Sequence, residues 1–576
     1  MQRLRIFKQM ETNNVWNAWL SKYSPAIAKL TSAHTVALLL LLPNLIWAAM
    51  DKGTWWGDPV GYALNSIVLY KKFLIDFQLW KGALFNGYKA PLMFWTGQFF
   101  VALGNFMGSI SFGLLLIPLI STFITLLLSF RSFQLLFKNK MIALCGCLAI
   151  AASPLLNGLS TGFWIEPMQV AVISWFIYIM IKVKTWDFYF ALSQFVIAAS
   201  LAMLIKFSSP LYIIGPSISF WITVFRNNLS MDMNKKNKFF LFISLLFFIP
   251  TTIFYIHNFN NLLSFAHFAG TSPLFGSDAS KLELWTQNTT NGIFLSTGYN
   301  LAIGLLIAGV VITITKRAYN NFTSIFIVAL CQIAIFFAAW IKSSNVDPRY
   351  FLPALPYFII LVCWSLKAIN IRIITVISVI VFFAQFIQVN EFAWGLGNLM
   401  PVYGEIRPLI KEPEKNMRIM HDIMPLVTRD SSIIFDLNPE FGVAEFQFEL
   451  AKQNVSGNWS VSCHDISNFF NFIRQEIDTS KINIDTAWTN LLAYNPNFYI
   501  TWSSRLYPEQ IETEMKRIDK YTAVTVTARW AMAEKMKKCT LYEVVSFASY
   551  PEILVYKRKD VPLKGLLKTL PKQVPL

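Results

Sequence analysis

The chain has 576 residues, of which 55% are hydrophobic and only 14% charged, and its formal net charge is +17. Soluble domains carry roughly 25% charged residues, so this composition excludes an ordinary soluble enzyme and points to a polytopic α-helical membrane protein. The cations cluster between apolar runs, which makes membrane topology, not nucleic acid, the first explanation of the charge.

The opening residues, "MQRLRIFKQMETNN", lack an apolar core and a small-residue cleavage site, so they do not read as a signal peptide. Apolar length then predicts about eleven spans. They fall at 33–50, 106–130, 141–157, 167–183, 187–206, 210–226, 239–257, 293–315, 322–341, 350–367 and 371–390. The run 91–104 is too short to cross and reads as a helix lying at the interface. The amino-terminal segment and the loops "RSFQLLFKNK", "KVKTW", "RNNLSMDMNKKNK", "KRAYNN" and "KAINIR" are all basic. The positive-inside rule therefore puts the N-terminus in the cytoplasm of a cell inner (plasma) membrane.

The first outer loop breaks that rule. Residues 51–90 carry Lys52, Lys71, Lys72, Lys81 and Lys89 beside Asp51, Asp58 and Asp76. Cations on the outer face oppose the topology bias, and an anionic ligand such as a lipid phosphate, or anionic headgroups, would account for them. Beyond residue 390 the composition turns polar and mixed. "SSIIFDL", "NFYITWSS" and "YPEILVYKRK" read as strands; "PEFGVAEFQFELAKQN" and "PEQIETEMKRIDKY" read as helices. Residues 1–390 are thus expected to form a membrane domain whose outer loop, 51–105, holds interfacial helices. Residues 391–576 are expected to form a soluble α/β domain on the extracytoplasmic side. Two cysteines of that part, Cys463 and Cys539, could pair there. Its basic tail, Lys557 to Lys572, is either a solvated end or a contact with anionic lipid. The sequons at Asn454 and Asn458 mark an exposed stretch.

Ionisable residues in or beside spans are functional candidates. Five stand out: Asp58, Lys89, Glu166, Lys206 and Arg349, and the topology puts all five at one depth on the outer face. Two acids and three cations suit transfer of a group from a phosphate-bearing lipid. An acid can take a proton from an attacking hydroxyl while cations stabilise a departing phosphate. Each residue also has a bland reading: Asp58 as a turn former, Glu166 as a helix cap, Lys206 as a snorkelling lysine, Arg349 as the partner of Asp347. His257 and His267, in the loop expected at 257–292, carry a weaker catalytic or metal reading. The chain holds no P-loop, G-x-G-x-x-G, H-E-x-x-H or G-x-S-x-G motif.

At these residues the sequence resembles the GT-C glycosyltransferases that use polyprenyl-phosphate sugars, in particular the protein O-mannosyltransferase and lipid A aminoarabinose transferase group. Five pieces resemble family segments in order: "GDPVGY", "YKAPLMFW", "SPLLNGLSTGFWIEPMQV", "LIKFSSPLY" and "RYFLPALP". Three depart from the usual pattern, with Ala90 for a proline, Glu166 for an aspartate and Phe207 for a glycine. The resemblance covers about residues 33–390. It implies that Asp58 is the general base on the acceptor hydroxyl or orients it, and that Glu166 is a second acid. It implies that Lys89, Lys206 and Arg349 hold the donor phosphate. Trp55, Trp56, Tyr62, Trp164 and Tyr350 would line the substrates. The implied partners are a polyprenyl-phosphate-linked sugar, an acceptor glycan, lipid or protein, and membrane lipids, with no nucleic acid. No cofactor is required by the sequence, although two acids could hold a divalent metal. The rival readings are a transporter or flippase of a lipid-linked sugar, and an inactive assembly subunit of the same fold.

Overall fold

A computed structural model describes residues 32–53, 55, 57–85, 89–227, 234–271, 280, 299–316, 324–342, 347–397, 408–427, 430–436, 442–453, 461–470, 482–502, 513, 525–547 and 550–561. Trp56, the two sequons and the tail beyond residue 561 lie outside them, as does the expected helix 508–521 except for residue 513. The first described part is all helical. Its helices are α1 (Ala33–Met50), α2 (Asp58–Ile75), α3 (Phe77–Leu84), α4 (Leu92–Phe106), α5 (Ile110–Phe137), α6 (Lys140–Ala151), α7 (Pro154–Ser160) and α8 (Glu166–Lys182). They continue with α9 (Phe188–Ile205), α10 (Ser209–Asn227), α11 (Lys235–Thr271), α12 (Tyr299–Thr315), α13 (Ser324–Lys342), α14 (Leu355–Ile369) and α15 (Arg372–Ala393).

Among the described residues, eight helices are long and apolar enough to cross a membrane, or nine if the bent pair α6–α7 is one span. The chain is therefore an integral membrane protein, but the expectation of about eleven spans is too high by this measure. Expected spans 210–226 and 293–315 account for the difference. Helix α10 carries Ser209, Ser217, Ser219 and Arg226, which dilute its apolar length, and α12 has only 17 described residues. The expected span 141–157 is broken: α6 and α7 meet at 60°. Ser153 caps α7 by accepting from the Leu156 N–H, and Gln385 of α15 donates to the Ala152 carbonyl that the break exposes. Such repair is what backbone at membrane depth requires. His257 and His267 also depart from expectation, since both ride on α11 and not on an irregular loop.

The short helix α4 packs on both α2 and α5. Its contact with α5 is close because small residues face each other. A Cβ on Gly113 would sit 2.5 Å from the Cα of Gly104, the small-residue contact that lets helices approach in lipid. One contiguous apolar core runs through the bundle from Val36 to Ala393 and extends to Leu409 and Phe448, and Trp47 ties α1 to α15 by donating to the Ala393 carbonyl at 2.7 Å.

The second part is α/β. It comprises α16 (Lys415–Ile423), β1 (Ser432–Phe435), α17 (Val443–Gln453), β2 (Ser462–Asp465), α18 (Ile484–Tyr494), β3 (Phe498–Trp502), α19 (Val526–Lys537), β4 (Tyr542–Phe547) and β5 (Tyr550–Arg558). The strand order is β2-β1-β3-β5-β4; β1 is parallel to β2 and β3, while β5 is antiparallel to β3 and β4. Alternation sends Ile433 and Phe435 to one face, with α16 and α17, and Ile434 to the other, with α18 and α19. Cys463 lies in the first layer and Cys539 in the second, so the sheet separates them, and both are free. Lys557 is buried and paired with Glu543 at 2.7 Å, so it belongs to the fold and not to an exposed basic tail.

Candidate functional site

Each candidate side chain is delivered by the end of a helix. Asp58 is the first residue of α2, entered from Gly57 at φ +66, with Pro59 behind it. Proline suits the first helical turn because its missing N–H has no partner there in any case. Glu166 opens α8, again followed by proline, where a carboxylate complements the positive end of the helix. Lys206 closes α9 in extended backbone. Arg349 sits in the 3-10 turn Pro348–Ala354, whose capping residue Asp347 accepts the Arg349 N–H at 2.9 Å. Lys89 lies just before α4.

These ends converge. Lys89 donates to Asp58 Oδ1 at 2.9 Å, and Arg349 Nη1 reaches Asp58 Oδ2 at 3.3 Å. Arg349 also holds Asp347, at 2.5 Å, and Lys206 donates to Glu166 Oε1 at 2.8 Å. Every cation additionally faces an aromatic ring. The ring of Tyr350 lies 4.2 Å from Lys206 Nζ, that of Trp164 4.3 Å from Arg349 Cζ, and that of Tyr62 4.9 Å from Lys89 Nζ. A cation on a π face, in a site partly shielded from water, gains an attraction that adds to its ion pair. The bland pairing of Arg349 with Asp347 thus coexists with its contact to Asp58.

The site is graded from enclosed to open. Glu166 is only 2% exposed, and its second oxygen, Oε2, has no hydrogen-bond partner among the described residues. Asp58 keeps 41% of its side-chain surface and Lys89 27%. Burial would raise the Asp58 pKa, but Lys89 and Arg349 overcome it and hold the carboxyl at about 2. Beside Lys89 a cavity of about 570 Å³ opens between α2, α3 and α4, lined by Gly61, Asn65, Lys72, Gln78, Lys89 and Phe94 among others. Two of the outer-loop lysines thus face one space.

Of the aromatics expected to line substrates, Tyr62, Trp164 and Tyr350 belong to the cluster. Trp55 does not. It is buried and stacked between Phe163 at 6.0 Å and Phe448 at 5.4 Å, so it packs the loop instead of facing an open surface. Trp56 lies outside the described residues. Among the described residues no three His, Cys, Asp or Glu come together as a metal-ion set. One participant escaped the sequence reading and another was read only in part. Asp347 had entered it only as a partner for Arg349. Glu445, on α17, accepts the Gly57 N–H at 3.3 Å; its only local signal was a helical pattern 388 residues away.

No protein-family model and no curated protein sequence matches the chain. Solved structures do. The bundle and the α/β part together make a GT-C-like polytopic membrane fold. The crystal structure of ArnT from Cupriavidus metallidurans bound to undecaprenyl phosphate superposes with a TM-score of 0.55 at 13% identity, covering 90% of this chain and 97% of that one. The apo state of that ArnT gives 0.54 at 12% identity, with 90% and 96% covered. At such identity the likeness establishes the fold.

Proposed function

We propose that the protein is a membrane glycosyltransferase that moves a sugar from a polyprenyl-phosphate carrier to an acceptor on the extracytoplasmic face. The observation that carries this reading is the convergence of three cations and three carboxylates from separate helix ends. The likeness of the fold to an ArnT bound to undecaprenyl phosphate supports it. In this reading the N-terminus is cytoplasmic, and residues 391–576 form the extracytoplasmic domain.

Lys89, Lys206 and Arg349 hold the donor phosphate, with Tyr62, Trp164 and Tyr350 keeping them oriented. The acceptor oxygen attacks the anomeric carbon. The bond from that carbon to the phosphate oxygen breaks, and its electron pair leaves on the polyprenyl phosphate, where the cations stabilise the added charge. The hydroxyl proton passes towards Asp58. At rest Asp58 is too acidic to be a strong base. A phosphate that takes a share of Lys89 and Arg349 weakens their hold on the carboxylate and raises its basicity. Donor binding and activation of the acceptor are then one event. Glu166, enclosed and held by Lys206, orients that lysine towards the phosphate.

The test is transfer from a panel of undecaprenyl-phosphate pentoses and hexoses, with membrane extract as the source of acceptors. Asp58→Asn should lower the rate by about 10²–10⁴-fold, the usual range for loss of a positioned acid or base. Its expression and thermal transition in detergent should not change. A variant that transfers at the wild-type rate removes Asp58 from the reaction.

A further inference from the structure

The loop that carries Asp58 is held from the α/β part of the chain. Lys52 N–H donates to the Ile410 carbonyl at 2.8 Å, and Ile410 N–H to Asp51 Oδ1 at 3.2 Å. Phe448 of α17 stacks on Trp55. Closest to the acid is Glu445, one turn before Phe448 on the same helix. Its Oε1 accepts the Gly57 N–H at 3.3 Å, and its Oε2 accepts the Gly442 N–H at 3.1 Å. The carboxylate is buried. Burial pushes its pKa up, and backbone N–H groups, those of Gly57 and Gly442 included, oppose that rise.

A buried carboxylate is costly unless its oxygens are satisfied, and of the two donors here Gly57 resists replacement. Gly57 has φ +66, where a side chain is strained. A Cβ on Gly442 would lie 2.6 Å from Glu445 Oε2. Gly57 immediately precedes Asp58 and starts its helix. An acceptor that pins the Gly57 N–H therefore sets the direction in which α2 presents the acid.

We infer that Glu445 is a positioning residue for Asp58: by accepting the Gly57 N–H it fixes the turn from which the acid projects and couples the α/β part to the cation–carboxylate cluster. This rests on the reading of Asp58 as the acid that acts on the acceptor. Glu445 touches none of the cluster's ionisable groups through a contact described above. Its effect passes through the backbone.

The experiment uses the full-length protein in detergent with three readouts: turnover in the assay used for Asp58→Asn, affinity for undecaprenyl phosphate, and amide hydrogen exchange of residues 55–62. Glu445→Ala should lower kcat about tenfold, the scale of one lost hydrogen bond to a charged group. It should speed exchange at Gly57 by a similar factor and leave donor KM and undecaprenyl phosphate affinity unchanged. Glu445→Gln keeps one carbonyl oxygen for the Gly57 N–H and should stay within about threefold of wild type in kcat. The inference is overturned if exchange at 55–58 is unchanged in Glu445→Ala. It is equally overturned if Glu445→Gln is as damaged as Glu445→Ala, or if kcat falls only together with lipid affinity and thermal stability. A fully active Asp58→Asn would instead remove the catalytic reading of Asp58, and the exchange arm alone would then decide whether Glu445 holds the turn.

Discussion

Two ionic networks in this molecule use the same side-chain types and differ in how tightly they are closed. In the α/β part, Arg529 of α19 is 2% exposed and forks onto Asp465 at 2.6 and 3.2 Å. Its Nε donates to Thr525, and Asp436 lies 4.0 Å away with Tyr499 donating to it at 2.5 Å. Arg529 and its carboxylates join α19 to the ends of β1 and β2, the geometry of a structural clamp. At the helix ends of the bundle, Lys89 and Arg349 share Asp58, Arg349 also holds Asp347, and Lys206 pairs with Glu166; each cation also lies on a ring, and Asp58 and Lys89 remain partly open. The Arg529 guanidinium is itself enclosed, although Asp465 is 37% exposed, so it offers no open side to another anion. An open, shared set can exchange a carboxylate for a phosphate.

That contrast can be broken in three ways. Arg529→Ala removes a buried guanidinium and leaves Asp436 and Asp465 without it. It should destabilise the α/β part by about 3–5 kcal/mol, seen as a lowered thermal transition, while undecaprenyl phosphate affinity at low temperature is unchanged. Lys206→Ala and Arg349→Ala should do the reverse. Each is expected to weaken undecaprenyl phosphate binding about 10- to 100-fold, the scale of one or two charge-assisted hydrogen bonds, with a smaller effect on the transition. Equal loss of affinity in all three variants would erase the distinction. The smallest effect is that of pH. The Asp58 pKa is lowered from 3.8 to about 2 in the folded protein. Its ion pairs therefore contribute fully above pH 3.8 and fade only as pH falls towards about 2. Between pH 5 and 8 the thermal transition of wild type minus that of Asp58→Asn should be flat, as titration followed by melting would report.

Much of this was legible in the sequence, and the reasons differ by region. Apolar length exposed most spans, because lipid imposes a minimum run on every crossing helix. It overcounted where serines and an arginine diluted α10, and it read the bent pair α6–α7 as one straight helix. The basic loops gave one depth to Asp58, Lys89, Glu166, Lys206 and Arg349, and the fold brings all five into one cluster. The strands at 432–435, 498–502 and 550–558 were visible from β-branched alternation, whereas β2, "SCHD", has no such residue, and β4, "YEVVSF", is rich in strand formers but its alternation breaks at Val544 and Val545. Trp55 packs between Phe163 and Phe448, and the sequence could not foresee that, because tryptophan beside an acid suits stacking on a sugar and packing in a core equally well. Glu445 was invisible for a different reason. Its partner is a backbone N–H almost four hundred residues earlier, and a backbone donor leaves no mark in the sequence.

The central claim is that the shared cations receive a lipid phosphate. A structure of the protein with undecaprenyl phosphate bound tests it most directly. The account predicts phosphate oxygens at about 2.7–2.9 Å from Lys206 Nζ and the Arg349 guanidinium, with the Lys89–Asp58 pair lengthened. A phosphate bound elsewhere, with all four ion pairs of the cluster intact, would contradict it.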